Sequence, residues 1–278
     1  MKTKYINSVL LAVGMLFSMS VFGQEQTVLV DSAQACVERN DFAQAAEYLK
    51  RAIEADPTAE RNVLLFINLG SVQRQQGLLK EAVETYSLAL NFKPHAMPVL
   101  LARAATYLEL GVEDKAYVDY CNVLDQDITN KEALSFRAFI AMRQHAYDVA
   151  RADYERLLDQ DARDPGARMG LALLNQKQGR LNEATEQLAR LIADWPKEPA
   201  YYLARADVLA DRKLYDLALL DYESAIGLNP DDPYAYIARA EMYLQMKHRK
   251  KQARKDLDMA VFLGASKAEL NDLYVQTR

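Results

Sequence analysis

Apolar and small residues recur along this chain in two helical phases per block of about 34 residues. In the second half of a block they fall at i, i+4, i+7 and i+8, as in Ala218, Tyr222, Ala225 and Ile226, which is one face of a helix. In the first half they fall at i, i+4 and i+7, as in Tyr236, Ala240 and Tyr243. The pattern predicts a helix, a turn and a second helix in each block. The turns are marked by Gly77, Gly111 and Gly179, the residue type that accepts the left-handed conformation beyond a helix end. Other blocks place Asn40, His145, Lys213 and a stretch from 247 to 252 at that point. Pro57, Pro94, Pro196 and Pro230 close the second helices. Asp164-Pro165 and Asp232-Pro233 open the next ones, with aspartate as cap and proline at the first helical position.

One alanine sets the period. Ala45, Ala82, Ala116, Ala150, Ala184, Ala218 and Ala253 are separated by 37, 34, 34, 34, 34 and 35 residues. A fixed period of this length means one structural unit stacked many times. The residues around each alanine resemble the tetratricopeptide repeat, with small residues at positions 8, 20 and 27, a large one at 24 and proline at 32. Seven repeats fit: 26–59, 63–96, 97–130, 131–164, 165–198, 199–232 and 233–267. The resemblance implies an all-α fold, a right-handed α-α superhelix (a solenoid) spanning 24–278. A C-terminal capping helix is expected over 266–275, because an array must cover its exposed end.

The first residues break the pattern. Lys2 and Lys4 precede an apolar run over 6–22, and Val21-Phe22-Gly23 supplies compact residues before Gln24. This reads as a signal peptide over 1–23, cleaved after Gly23, and places the protein in the periplasm or outside the cell. The run is short for a membrane span, and an uncleaved anchor is the rival reading. The chain carries a net charge of −5, and loss of Lys2 and Lys4 takes it to −7. That acidity argues against nucleic-acid partners. Only two cysteines are present, Cys36 and Cys121. They fall two repeats apart, beyond the roughly 4–7 Å between α-carbons that a disulfide needs, so they are expected as free thiols.

Charges travel in pairs. Arg103 with Asp119, Arg137 with Asp153 and Arg205 with Asp221 are 16 residues apart, and Arg239 with Asp256 is 17 apart, which matches an extra residue in that repeat. Repeats lacking one partner lack the other, as at Leu69 with Thr85 and Leu171 with Gln187. This predicts ion pairs between the two helices of a repeat.

In the family, first helices line a concave groove through positions 2, 5, 9, 12 and 13. The resemblance therefore offers Leu101 and Leu108, then Phe139, Met142 and Arg143, then Met169, Leu173 and Lys177, and finally Tyr234 and Ile237, as partner-binding residues. Exposed apolar side chains in a groove suit an extended or helical peptide, and methionine suits an adaptable surface. Packing against the next repeat is the alternative, chiefly for positions 5 and 9. A carboxylate clamp for chaperone termini is absent: Asn68 matches one of its positions, but Val30, Gln34, Pro98 and Ala102 stand at others. A basic cluster of Lys247, Arg249, Lys250, Lys251, Arg254 and Lys255 lies at the last turn and enters the following helix. Cations at a helix start oppose its dipole, so an anionic partner is conceivable there, whether an acidic protein face or a peripheral membrane contact with headgroups.

No catalytic or metal-binding motif is present. His95, His145 and His248 fall at turns or boundaries, and there is no His-Glu-x-x-His, phosphate loop or nucleophile elbow. Trp195 beside Pro196 is expected to pack at a repeat junction. The reading is a non-enzymatic, cofactor-free exported scaffold that binds a protein or peptide in its groove. The alternatives are an envelope-complex assembly factor acting through the basic end, and a glycan or cell-wall binding module. If alanine permits close approach of the paired helices, Ala150→Leu overpacks that contact and costs about 1–3 kcal/mol in denaturant unfolding. An unchanged midpoint and slope would remove the close-approach argument.

Overall fold

The computed structural model describes residues 24–56, 62–246 and 248–278. The proposed leader, Pro57 and Lys247 lie outside the described residues. All regular structure among the described residues is helical. The chain divides into two compact parts, with the division after Phe136.

The first part contains α1 (Gln24–Glu38), α2 (Phe42–Glu54), α3 (Val63–Gln75), α4 (Leu79–Phe92), α5 (Met97–Glu109) and α6 (Glu113–Leu124). The division falls inside α7 (Lys131–Arg143). The second part continues with α8 (Tyr147–Gln160), α9 (Pro165–Lys177), α10 (Leu181–Asp194), α11 (Pro199–Asp211), α12 (Tyr215–Leu228), α13 (Pro233–Gln245), α14 (Lys250–Phe262) and α15 (Asn271–Gln276). In each part, helices pack with their chain neighbours as hairpins, and each hairpin packs on the next. First helices of successive hairpins also touch, α3 with α5 in the first part, and α9 with α11 and α11 with α13 in the second.

The six turns read from the sequence all use left-handed backbone. Gly77, Gly111 and Gly179 have φ between 74° and 76°. Asn40, His145 and Lys213 reach φ of 58°, 59° and 61° without glycine's freedom. Asp41 and Asp164 accept hydrogen bonds from the Gln44 and Ala167 amides at 3.1 and 2.8 Å, and so cap α2 and α9. The terminal helix is shorter than the expected 266–275: turns occupy 267–270, and only Asn271–Gln276 is helical.

Small residues do the close packing. Ala33 and Ala45, Ala104 and Ala116, Ala138 and Ala150, Ala172 and Ala184, Ala206 and Ala218, and Ala240 and Ala253 are all without solvent exposure. Gly70 takes the place of the first alanine opposite Ala82, because the Tyr86 ring lies where a β-carbon would be, 2.5 Å from the ideal position. Gly170 serves the same purpose for Tyr154, with a β-carbon position 2.3 Å from that ring. Where the next repeat offers Phe136 instead, Tyr120 stacks on it with centroids 5.6 Å apart. Cys36 is buried and Cys121 half-buried, and neither takes part in a disulfide.

The four expected ion pairs form, each a two-pronged contact between first and second helix. Arg103 meets Asp119 at 2.8 and 2.8 Å, Arg137 meets Asp153 at 2.8 and 2.7 Å, Arg205 meets Asp221 at 2.7 and 2.7 Å, and Arg239 meets Asp256 at 2.7 and 2.8 Å. The carboxylates are buried. Removing one member strands the other charge, so Arg205→Leu is expected to lower stability by about 3 kcal/mol in urea unfolding. Arg205→Leu/Asp221→Leu is expected to recover most of that loss, because no charge is left unpaired. A double variant as unstable as the single one would contradict this account.

Candidate functional site

A face for a partner must come from side chains that packing leaves over. Position 5 of the first helices is largely consumed by the core. Leu203 is buried, Met169 packs against Leu188 and Leu191, and Ile237 packs against the cluster around Tyr222 and Met242. Position 9 points outward where the side chain is large: Phe139 is 47% exposed and Leu173 is 37% exposed. Tyr234, at position 2 of α13, is 53% exposed. Arg143 and Lys177 at position 13 are exposed, Met142 is half-buried, and the Arg143 guanidinium sits 5.8 Å from the centroid of the Phe139 ring. In the first part of the chain Leu101 and Leu108 on α5 are both half-buried. The candidate list thus separates into open residues (Phe139, Arg143, Leu173, Lys177, Tyr234) and partly packed ones (Leu101, Leu108, Met142, Met169, Ile237).

Within the second part, the open residues lie on the first helices, and the signs of charge are sorted along it. Arg143 and Lys177 belong to α7 and α9. Asp207, Asp211 and Glu241 belong to α11 and α13. The Tyr222 hydroxyl donates to Asp207 at 2.6 Å, and Gln176 Nε2 donates to Asp211 at 2.7 Å. The Gln176–Asp211 contact ties α9 to α11 through residues 35 apart, and Arg74 with Glu109 repeats it between α3 and α5. Burial, with Asp211 and Glu241 close by, pushes the Asp207 carboxyl up to about 6, against the pull of the Tyr222 hydrogen bond. Burial also raises Glu241. The Tyr222 and Tyr234 phenols are pushed up by burial first and by the Asp207 charge second.

The basic cluster is spread over different neighbours. Arg249 stands just before α14 and lies over the Tyr243 ring at 5.9 Å, Lys250 donates to the Arg278 main-chain oxygen at 2.7 Å, and Arg254 lies over Tyr274 at 5.8 Å. Lys251 and Lys255 are exposed. Trp195 is half-buried against the Leu188–Leu191 cluster, edge-on to Tyr201. Among the described residues, no group of three or more His, Cys, Asp or Glu side chains is arranged to hold a metal ion, and no helix is long and apolar enough to cross a membrane.

Sequence reasoning missed the Asp207–Tyr222 bond and the cross-repeat contacts. The 35-residue separation of Gln176 from Asp211 and of Arg74 from Glu109 was the available signal.

Comparison with known proteins fits this geometry. A family model described as tetratricopeptide repeat matches residues 30–96, 137–184 and 176–233. A crystal structure of a tetratricopeptide repeat protein from Parabacteroides merdae ATCC 43184 is similar, with 29% identity and a TM-score of 0.76, covering 92% of this chain and 99% of that one. YrrB, described as a TPR protein with an unusual peptide-binding site, shares the fold at 19% identity and a TM-score of 0.58, over 68% of this chain and 96% of its own. BBSome complex member BBS4 from Bos taurus is 30% identical over 108 residues, which is 39% of this chain and 20% of that protein. A peptide N-acetylglucosaminyltransferase from Giardia intestinalis is 33% identical over 79 residues, 28% of this chain and 5% of the enzyme. The chain thus matches only a small fraction of the length of these two curated relatives.

A carboxyl raised in the folded protein favours folding when protonated. The contribution of Asp207 is therefore fully present below about pH 4 and lost as pH rises through about 6. Relative to Asp207→Asn, the wild type is expected to lose on the order of 2 kcal/mol of stability between pH 4 and pH 7 in urea titrations. A difference that stays flat across that range would show that Asp207 titrates normally.

Proposed function

We propose that this chain, which belongs to the tetratricopeptide-repeat family, is an exported, non-catalytic scaffold that holds a peptide or protein segment along the first helices of residues 137–278. Repeats of this family generally act as scaffolds that bind proteins or peptides. The observation that carries the reading here is the set of exposed apolar side chains Phe139, Leu173 and Tyr234 on helices whose inward faces are already filled. Such side chains carry a persistent hydration cost that a partner removes. Arg143 and Lys177 at one end and Asp207, Asp211 and Glu241 at the other give a bound segment a preferred direction. The YrrB description supports peptide binding as a use of this fold. The match to the transferase spans 5% of that enzyme and gives no support to catalysis in this chain.

Export rests on Lys2, Lys4 and the apolar run over 6–22. An envelope complex is the setting this suggests. The test is affinity capture from envelope and secreted fractions with wild type and with Phe139→Ala/Leu173→Ala/Tyr234→Ala, followed by titration of the captured protein. The three side chains are exposed, so the variant is expected to keep wild-type stability within about 0.5 kcal/mol. Loss of two anchors or more is expected to weaken binding at least about tenfold. Equal recovery and equal affinity would remove the first-helix face as the site, and absence of the chain from both fractions would remove export.

A further inference from the structure

Away from the first-helix face, one concentration of positive charge is built around a fixed ring. Lys250 and Arg254 stand four residues apart on α14, on one side of the helix, where like charges repel. The Arg254 guanidinium lies 5.8 Å from the centroid of the Tyr274 ring on α15, and the Lys267 ammonium lies 5.6 Å from the same centroid. The ring is held in place, because its hydroxyl donates to Asp258 Oδ1 at 2.9 Å. Lys250 Nζ holds the Arg278 main chain at 2.7 Å and so brings a fourth cation to the cluster.

Beside these groups lies an open surface hollow of about 200 Å³ lined by Arg254, Lys267, Asn271, Tyr274 and Arg278. None of the five lining residues is acidic. Asp258, the carboxylate bonded to the ring hydroxyl, does not line the hollow. Among the described residues, no carboxylate forms an ion pair with Arg254, Lys267 or Arg278.

Arg254, Lys267 and Arg278 have no carboxylate at ion-pair distance among the described residues, although Asp258 stands behind the ring, and an anion that all three can reach stabilises them. Cation–π contact positions the Arg254 and Lys267 heads while leaving N–H donors free to point at a ligand. A guanidinium fork beside an ammonium and a carboxamide offers donors to several oxygens of one multiply charged oxyanion, as a phosphoryl group presents. The hollow is larger than a bare phosphate, so the group esterified to it has room. We infer that this hollow is a binding site for a phosphoryl group, with Arg254 and Lys267 as its principal contacts, Asn271 as a neutral donor and Arg278 closing the side. This site is separate from the peptide-binding face, and neither reading depends on the other.

The phosphoryl group can belong to a soluble phosphorylated molecule or to a phospholipid headgroup. The experiment is calorimetric titration of the full chain with inorganic phosphate, and sedimentation with vesicles of phosphatidylglycerol in phosphatidylcholine. Three proteins are compared: wild type, Arg254→Ala/Lys267→Ala, and Lys251→Ala/Lys255→Ala. The last removes two cations from the same helix that do not line the hollow. Saturable binding that falls at least tenfold in Arg254→Ala/Lys267→Ala and stays within twofold in Lys251→Ala/Lys255→Ala is expected. Saturation by free phosphate assigns the soluble source, and saturation only on vesicles assigns the headgroup. No saturation by either probe, or equal losses in the two variants, would overturn the site and leave only a diffuse cationic surface.

Discussion

The packing of each hairpin depends on two positions that carry almost no side chain. An alanine, or glycine at Gly70, faces an alanine across each hairpin, and every one of these alanines is sealed from solvent. That contact fixes the distance between the paired helices. It fixes how far the tyrosine or leucine four residues further on reaches into the stack, and with that the surface presented to the next hairpin. Tyr86, Tyr120, Tyr222, Leu188 and Leu257 all occupy that inward place and are essentially buried. A larger residue at the contact would move every element that follows in the same direction, so the local constraint propagates along the chain.

The ion pairs depend on the same spacing. A guanidinium can meet a carboxylate through two bonds of about 2.8 Å only if both helices are held at a constant separation and rotation. Their burial makes them demanding: a hydrophobic pair of similar volume would be at least as stable, whereas a mismatched helix would leave a stranded charge. Their contribution is therefore to register. A first helix slipped by one residue against its partner would lose both prongs and bury Asp119 or Asp221 without its arginine.

Features generated by the repeat itself were legible in the sequence, and features arising from departures within single repeats were less so. Helices, turns, the facing alanines and the four Arg–Asp pairs all recur in phase, so the chain supplies its own comparison. His145 and Lys213 took glycine's place in left-handed turns because the position, rather than the residue type, was fixed by the period. The division of candidate groove residues into open and packed was not legible. The pattern marks one helical stripe, but whether position 5 or position 9 falls inside depends on a rotation of a few tens of degrees set by the next hairpin. Asp207 shows the same limit. It stands at position 9, where the repeat pattern gives no sign of a partner, and only the fold brings Tyr222 and Glu241 near it. The last helix came out shorter than expected, because 267–270 turn before Leu270 inserts into the core.

A stack of this kind separates what holds it together from what it can bind. The core contacts use positions that every repeat must fill in much the same way, which leaves little room for specificity. The outward positions of the first helices are under no such demand, and here they vary from Phe139 to Leu173 to Asp207 to Glu241 between successive repeats. Apolar side chains beside cationic ones on α7 and α9, followed by acids on α11 and α13, form a sequence of environments read along the helix row. A ligand that matches one end but is reversed places like charges together, which costs more than a neutral mismatch. The sorted charges therefore discriminate against the wrong orientation as much as they favour the right one, and they do so without altering any residue on which the fold depends.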